Sequence, residues 1–261
     1  MIIDSHVHLG EYGVTLDLLL NHMNEPLALA PQVRCDKVVA QNGMVRNPEE
    51  NKSYEDQMAY LATSVRSNPD RIIGMMTINP YDNCQTAVAL AGKYAQQNII
   101  KALKIHPKIH NFRVDEDLKR LAPILECASK HKLLLHIHTG DPFSEPSRIE
   151  PLAESYRDVN IVMCHMATQM ISYTPEAFVT AKHNPNIYLE IGFHERRLRE
   201  GVRMIGADRF LFATDTPIND IATGLVLVYS LANKPPFGLG LASGDLEKIL
   251  SLNAIRLMNL K

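Results

Sequence analysis

Two histidines lie one residue apart near the start of the chain, in the segment MIIDSHVHLG. Because alternate side chains of a β-strand share a face, His6 and His8 point to the same side of this apolar segment. Neutral imidazoles suit zinc and other divalent transition ions, which keep an open position for water at catalytic sites. The spacing therefore predicts a metal site at the end of a first strand. Asp4, counted on the same face, could orient one of these ligands or form a buried ion pair.

Other apolar runs also end in groups that could bind a metal or move a proton. They are Lys104 and His106 in ALKIHP, His136 and His138 in LLLHIHTG, His165 in CHMA, and Asp215 in FATDTP. One such histidine is usually a hydrogen-bonded core residue. Several strands that end this way are hard to explain by packing, because buried ionisable groups are costly unless they are paired or ligated. Imidazoles with one carboxylate predict a divalent-ion site.

The elements that would position these groups alternate between short apolar runs and stretches with helical spacing. Strands that are apolar throughout, each followed by a helix, imply a parallel sheet covered by helices. Eight such units within 261 residues predict a closed (β/α)8 barrel, with the chemistry at the carboxyl ends of the strands. A doubly wound open sheet is the rival, but no Gly-rich phosphate loop follows the first run. The predicted strands span 1–4, 36–41, 71–78, 99–105, 132–138, 160–164, 186–192 and 209–214.

Composition limits the class of protein. Hydrophobic residues make up 46% of the chain, the formal net charge is −2, and the four cysteines form no CxxC pair. No apolar run reaches the roughly 18–20 residues of a membrane span, and no basic run indicates nucleic-acid binding. The sequence also shows no basic leader with a cleavage site. We therefore expect one domain over residues 1–261, a cytoplasmic location, a small-molecule substrate, and no nucleic-acid or membrane partner. A homodimer is expected only because dimers are common.

The motifs DSHVH, KIHP, HTG, CHM and TDTP, in this order, resemble those of the amidohydrolase superfamily. Within it, the chain is similar to the amidohydrolase-related branch, also called amidohydrolase family 2. That branch includes relatives of aminocarboxymuconate semialdehyde decarboxylase. INP at 78–80 and LNAIRL at 252–257 resemble the third-strand end and the closing helix of this branch, so the likeness spans nearly the whole chain. It says almost nothing about the substrate.

The resemblance implies a ligand set and a proton shuttle. His6 and His8 match the paired ligands of the first strand, and His138 matches the fifth-strand ligand. Asp215 matches the eighth-strand aspartate, which both contacts the metal and moves a proton. His165 matches the sixth-strand histidine that faces the substrate in one-metal relatives. We expect one divalent ion, zinc first and manganese as the alternative.

For several residues the resemblance leaves two alternative roles open. Lys104 matches a lysine that is carboxylated and bridges two metals in some members. In a one-metal site, which we favour, it would be a substrate-side cation or a structural ion-pair partner. His136 lies one pleat deeper than His138, about 7 Å along the strand, and is expected to be a buried, hydrogen-bonded histidine. His106 and His194 either line the mouth or are ordinary loop residues, and Arg46 could bind a substrate carboxylate.

Three functions fit this site. The first is metal-dependent hydrolysis of a small amide, lactone or ester, with Asp215 as the base for a metal-activated water. The alternative is non-oxidative decarboxylation of a small aromatic or unsaturated acid, which would make the enzyme a lyase. The compact length favours hydrolysis slightly. The third is a metal-binding sensor or scaffold without catalysis. The related metal-dependent deoxyribonucleases do not fit, because IIGMMTINP lacks their acidic ligand.

Overall fold

The computed structural model describes residues 1–10, 13–25, 33–42 and 53–260. Within them, eight parallel strands pair in chain order from β1 to β8 and form a nearly closed barrel, with helices between successive strands. This confirms the predicted (β/α)8 architecture. The strands are β1 (Ile3–Leu9), β2 (Lys37–Asn42), β3 (Ile72–Thr77), β4 (Ile100–Ile105), β5 (Leu134–Ile137), β6 (Ile161–Met163), β7 (Ile187–Glu190) and β8 (Phe210–Leu211).

The helices cover the outside of the barrel and begin at recognisable caps. Ser53 and Asp56 form a reciprocal capping box at the start of the helix that begins at Tyr54. The Asp220 carboxylate accepts two backbone N–H groups at the start of the helix that begins at Ile221. The helices are α1 (Leu16–Asn24), α2 (Tyr54–Ser67), α3 (Cys84–Gln96), α4 (Pro107–His110), α5 (Leu118–His131), α6 (Glu150–Ser155), α7 (Thr174–His183), α8 (Glu195–Ile205), α9 (Ile221–Ser230), α10 (Ser243–Glu247) and α11 (Asn253–Met258). None of the described helices is long and apolar enough to cross a membrane.

The barrel interior is divided into an apolar lower layer and a polar upper layer. The lower layer contains strand residues such as Ile3, Val39 and Leu134, and side chains of α11 pack against it. The upper layer, towards the carboxyl ends of the strands, contains the polar and ionisable groups of the candidate site. The apolar floor excludes water from below, so the chemistry is confined to the mouth.

A β-bulge in β1 decides which side chains enter the barrel. Asp4 pairs with Val38 and Val7 pairs with Ala40, so β1 contains one more residue than β2 over this interval. An extra residue shifts the alternation of side chains between the two faces. As a result, Ile3 belongs to the barrel interior and Val7 to the layer under the helices, although both have odd numbers. The prediction from simple alternation, which put Asp4 and His6 on one face, overlooked this inserted residue.

The barrel closes through the chain that follows the short strand β8. Ser5 N–H donates to the Phe212 carbonyl, Asp215 N–H donates to the His6 carbonyl, and His8 N–H donates to the Thr216 carbonyl, each at 2.8 Å. These bonds place Asp215 beside the two histidines of β1.

A buried carboxylate reinforces this closure. Asp4 accepts hydrogen bonds from the backbone N–H of Thr214 and from its hydroxyl, and also from the backbone N–H of His6. The side chain is fully buried, and burial raises the pKa of Asp4 to about 7. Asp4 therefore joins β1 to the end of β8 and contacts the backbone of His6 rather than its ring.

We expect Thr214→Val to destabilise the barrel by about 1–3 kcal/mol, because it leaves the buried Asp4 carboxylate without its hydroxyl donor. Denaturant unfolding measures the change. Thr223→Val is the matched control: Thr223 is exposed, and its hydroxyl donates to Asp220 at the surface. The control should change the free energy of unfolding by no more than about 0.5 kcal/mol. Equal effects of the two substitutions would contradict a role for Asp4 and Thr214 in closure.

Candidate metal centre

His6, His8 and Asp215 meet at the mouth of the barrel, with one ligand atom from each within 4.8 Å of the others. Asp215 Oδ1 lies 2.8 Å from His8 Nε2 and 3.3 Å from His6 Nε2. The two imidazole rings stack with their centroids 5.3 Å apart. The sequence predicted all three residues as ligands, and barrel closure brings them together.

A buried amide, Gln41 on β2, contacts the rings of both histidines. Thr77 Oγ1 donates to Gln41 Oε1 at 3.0 Å, which turns the amide nitrogen of Gln41 towards the two histidines. Gln41 Nε2 lies 2.9 Å from His6 Nε2 and 2.7 Å from His8 Nε2. Because an amide NH₂ group can only donate, His6 Nε2 presents its lone pair to Gln41. Gln41 Nε2 lies beside both ring nitrogens of His8, at 2.7 Å from Nε2 and 3.2 Å from Nδ1, so it does not select one of them.

The donor set fits a divalent cation. Burial lowers the pKa of His6 to about 4, so the ring is neutral at pH 7 and has one N–H, which faces Glu190. Its Nε2 lone pair therefore faces the Asp215 carboxylate. Burial alone would raise the pKa of Asp215, but His6 and His165 beside it lower it well below its ordinary value. Two electron-pair donors that face each other at 3.3 Å repel unless a cation lies between them, and imidazole with carboxylate suits a transition ion.

His165 lies beside this group in an unusual backbone turn. His165, Met166 and Ala167 all have positive φ angles, at 59°, 54° and 56°. Its Nε2 lies 3.7 Å from Asp215 Oδ2, and its ring stacks on that of His6. Three successive non-glycine residues in the left-handed region are strained, and such strain persists only where the surroundings impose it.

Two neighbouring loops enclose this turn closely enough that only glycine fits. A Cβ at Gly192, after β7, would lie 2.7 Å from the His165 carbonyl oxygen. A Cβ at Gly140, after β5, would lie 2.8 Å from the Ala167 carbonyl oxygen. Both distances are shorter than side-chain contacts allow. The two glycines therefore permit the turn that brings the His165 ring to Asp215.

His138 lies outside the group formed by His6, His8 and Asp215. Its ring stacks on that of His106 with centroids 3.7 Å apart, and its Nε2 is 3.4 Å from Asp141 Oδ2. Within the described part of the chain, this buried nitrogen has no hydrogen-bond partner. A buried imidazole nitrogen left without a partner is consistent with a further ligand, and the role of His138 stays a prediction.

His106 and His194, which the sequence placed either at the mouth or in ordinary loops, both cap helices. His106 Nδ1 accepts the N–H of Ile109 at the start of α4, at 3.3 Å. His194 Nδ1 accepts the N–H of Arg197 at the start of α8, at 3.4 Å. A structural role therefore accounts for one nitrogen of each ring. Arg46 lies outside the described residues.

Lys104 is buried below the mouth and contacts a thiol. Its Nζ donates to Cys164 Sγ at 2.7 Å, and 1% of its surface is exposed. Burial raises the pKa of Cys164 well above its ordinary value, so the acceptor is a neutral thiol. This position agrees with a structural partner and not with a cation exposed to substrate.

Sequence reasoning missed Glu190, the last residue of β7. It is fully buried, accepts hydrogen bonds from His6 and His136, and also binds the backbone N–H of His165. Burial alone would raise the pKa of Glu190, but the surrounding imidazoles lower it well below its ordinary value. The available signal was a single acid inside the apolar run NIYLEIG. Its contact with His136 accounts for the buried, hydrogen-bonded state expected of that histidine.

Comparisons with known proteins identify the family and the fold of the chain. A family described as amidohydrolase matches residues 3–260. No curated protein matches the chain. Among solved structures, an uncharacterized TIM-barrel protein from Bordetella bronchiseptica has 18% identity and a TM-score of 0.75, over 99% of this chain and 98% of that one.

Two of the similar structures are decarboxylases with bound manganese. A dihydroxybenzoic acid decarboxylase from a Polaromonas species, with 2-nitroresorcinol, has 15% identity and a TM-score of 0.69 over 99% of this chain and 97% of that one. A 5-carboxyvanillate decarboxylase from Novosphingobium aromaticivorans, with a nitrobenzoic acid, has 14% identity and a TM-score of 0.72 over 100% of this chain and 96% of that one. At these identities the likeness establishes the fold.

We expect the purified chain to bind about one Mn²⁺ at a three-residue set that includes His8, and His8→Asn to weaken this binding by at least about 100-fold. The loss of a direct ligand should exceed the 10–100-fold effect typical of an outer partner. Elemental analysis and Mn²⁺ titration measure both quantities. His183→Asn, at an exposed position on α7, is the control and should bind like the original chain. Unchanged binding by His8→Asn would rule out His8 as a ligand.

The turn at His165 generates a separate prediction. Gly192→Ala should lower the free energy of unfolding by about 1–3 kcal/mol, because the new methyl group overlaps the His165 carbonyl. Gly244→Ala is the control, since nothing lies within 4 Å of a Cβ there. Chemical denaturation compares the two variants, and equal stability would show that the turn tolerates displacement.

Proposed function

The chain belongs to the amidohydrolase family, and from this premise we propose that it is a manganese-dependent decarboxylase of a small hydroxylated aromatic acid. The reaction would need no oxidant. The observation that carries the proposal is the meeting of His6, His8 and Asp215 in a barrel that aligns over nearly its full length with manganese-containing decarboxylases. This favours decarboxylation, the alternative from the sequence, over hydrolysis. Because 96–97% of those two decarboxylase chains is covered, the compact length no longer argues for hydrolysis.

The ion would be held by His6, His8 and Asp215, with His138 proposed as a further ligand. A bound divalent ion supplies Lewis-acid stabilisation of negative charge. The surrounding side chains are buried, so this charge is poorly screened by water and its effect on a substrate anion is strong.

Decarboxylation breaks the bond between a ring carbon and the carboxylate carbon. CO₂ leaves, the electron pair stays on the ring carbon, and one proton must be delivered there. Asp215 is ionised, so it can accept a proton from a substrate hydroxyl and return it to the carbon. His165 contacts the same carboxylate from the other side, at 3.7 Å, and would face the substrate. The carbon gains this proton as CO₂ departs, and solvent returns a proton to the substrate oxygen, so the net reaction consumes one proton for each carboxylate.

The decisive experiment compares two reactions on the Mn²⁺-loaded protein. Dihydroxybenzoates and 5-carboxyvanillate are tested for CO₂ release, and simple esters, lactones and amides are tested for hydrolysis. We expect CO₂ release, with one deuterium at the vacated carbon when the reaction is run in D₂O. The same assay with Zn²⁺ shows which ion supports turnover.

Asp215→Asn should lower the rate of CO₂ release by about 10²–10⁴-fold, the usual contribution of a general acid–base group. Mn²⁺ content is measured in parallel, so that loss of turnover is separated from loss of metal. Asp70→Asn, the same change at an exposed position, should leave the rate unchanged. Hydrolysis without CO₂ release would overturn the proposal in favour of a hydrolase. Metal binding with neither reaction would favour a sensor or scaffold.

A further inference from the structure

We infer that Glu190 is a positioning residue that fixes which ring nitrogen of His6 faces the metal and holds His165 in its left-handed turn. The inference rests on the proposed metal-dependent function for its effect on turnover. Its structural content stands on contacts within the barrel.

The Glu190 carboxylate is shared by three histidines from three different strands or their ends. Its Oε1 lies 3.0 Å from His6 Nδ1 and 3.0 Å from His136 Nδ1. Its Oε2 lies 3.2 Å from His6 Nδ1 and accepts the backbone N–H of His165 at 3.0 Å. The side chain is 1% exposed, so these contacts are shielded from bulk solvent.

These contacts determine the tautomer of His6. An ionised carboxylate only accepts hydrogen bonds, so His6 Nδ1 must carry the proton. A neutral imidazole has one N–H, which leaves a lone pair on Nε2. Gln41 requires the same tautomer from the opposite side, because its amide N–H donates to His6 Nε2. Two independent neighbours therefore select the His6 tautomer with its proton on Nδ1, as in a carboxylate–histidine–metal triad, and the Nε2 lone pair lies on the side of Gln41 and Asp215.

A second reading treats Glu190 as a metal ligand. Ligand atoms of His6, Cys164, His165 and Glu190 also lie within 4.8 Å of one another. In this group, however, both Glu190 oxygens already accept hydrogen bonds, and Cys164 Sγ receives the Lys104 ammonium. His6 offers this group the nitrogen that carries its proton. The group by Asp215 uses the other ring nitrogen of His6, the one without the proton, so the contacts favour Glu190 as the partner of a ligand.

Glu190 also explains how the strained turn survives. The backbone N–H of His165, whose φ angle is 59°, donates to the buried Glu190 carboxylate and would lose this partner without Glu190. A buried unsatisfied donor costs free energy comparable to a lost hydrogen bond. The same carboxylate thus orients one side chain of the site and secures the backbone of another.

Glu190→Gln tests the inference with nearly constant shape. The new amide can accept a hydrogen bond from one imidazole but directs its NH₂ group at another. The imidazole that faces this NH₂ group must accept with Nδ1, which favours its tautomer with the proton on Nε2. We expect Mn²⁺ affinity to fall about 10–100-fold, as for other outer partners of metal-bound histidines. Glu176→Gln is the matched control, since it is the same substitution at a carboxylate that accepts the backbone N–H of Ser147 outside the barrel. It should keep its Mn²⁺ affinity.

Nitrogen NMR of the histidine side chains gives a readout that a purely structural role would not move. In the protein freed of paramagnetic ions, and again after Zn²⁺ loading, His6 and His136 should carry their proton on Nδ1. In Glu190→Gln, at least one of the two should move towards the other tautomer. Protonation of His6 on Nε2 in the original chain would overturn the inference, even if the variant failed to fold.

Cobalt distinguishes the two readings of Glu190. The Co²⁺-loaded protein should lack a thiolate-to-metal charge-transfer absorption, because Cys164 is not a ligand in our assignment. If such a band appeared and was lost in Cys164→Ser, Cys164 would be a metal ligand. Glu190, which lies in the same group, would then be part of a metal site, and its positioning role would be overturned. None of these measurements uses a substrate. If they succeed while no CO₂ is released, the proposed reaction fails and the positioning role of Glu190 stands.

Discussion

The closure of the barrel between β1 and the chain after β8 is the constraint on which the site depends. Asp215 donates its backbone N–H to the His6 carbonyl, and His8 donates to Thr216. These bonds bring Asp215 against His8 although 207 residues separate them in sequence. A shift of one residue in this pairing would move the carboxylate to the other face of the strand. The ligand group is therefore a direct product of backbone pairing.

Closure also buries polar groups that must then find partners inside the barrel. Asp4 is satisfied by Thr214, Gln41 by Thr77 and the histidines, and Glu190 by three imidazole or backbone donors. In a low-dielectric interior each unpaired group would cost several times what a surface group costs. In this network, hydroxyl and amide groups orient the carboxylates and imidazoles through hydrogen bonds. This preorganisation keeps the rings of His6 and His8 beside Asp215.

The polar network contains an asymmetry between its two carboxylates. Asp215 is partly exposed at the mouth and faces the ring nitrogen of His6 that presents a lone pair. Glu190 lies deeper and contacts ring N–H groups. Two acids on opposite sides of the same ring can thus have different tasks, because one meets the lone pair and the other meets the proton. The first suits metal and proton chemistry, and the second suits orientation.

The sequence by itself determined the architecture and the order of the donors. Eight apolar runs predicted eight strands, and His6, His8, His165 and Asp215 were identified because ionisable groups that end apolar strands are costly without a function. Tertiary structure alone decided the rest. The bulge in β1 interrupts the alternation of side chains that put Asp4 on the same face as His6. A single inserted residue does not change the hydrophobic pattern, so the sequence did not reveal it. Glu190 and Gln41 were missed because the partners that give them a role come from other strands. Which nitrogen of His6 faces Asp215 is likewise fixed by those distant partners, since an imidazole has two nitrogens and the sequence specifies neither.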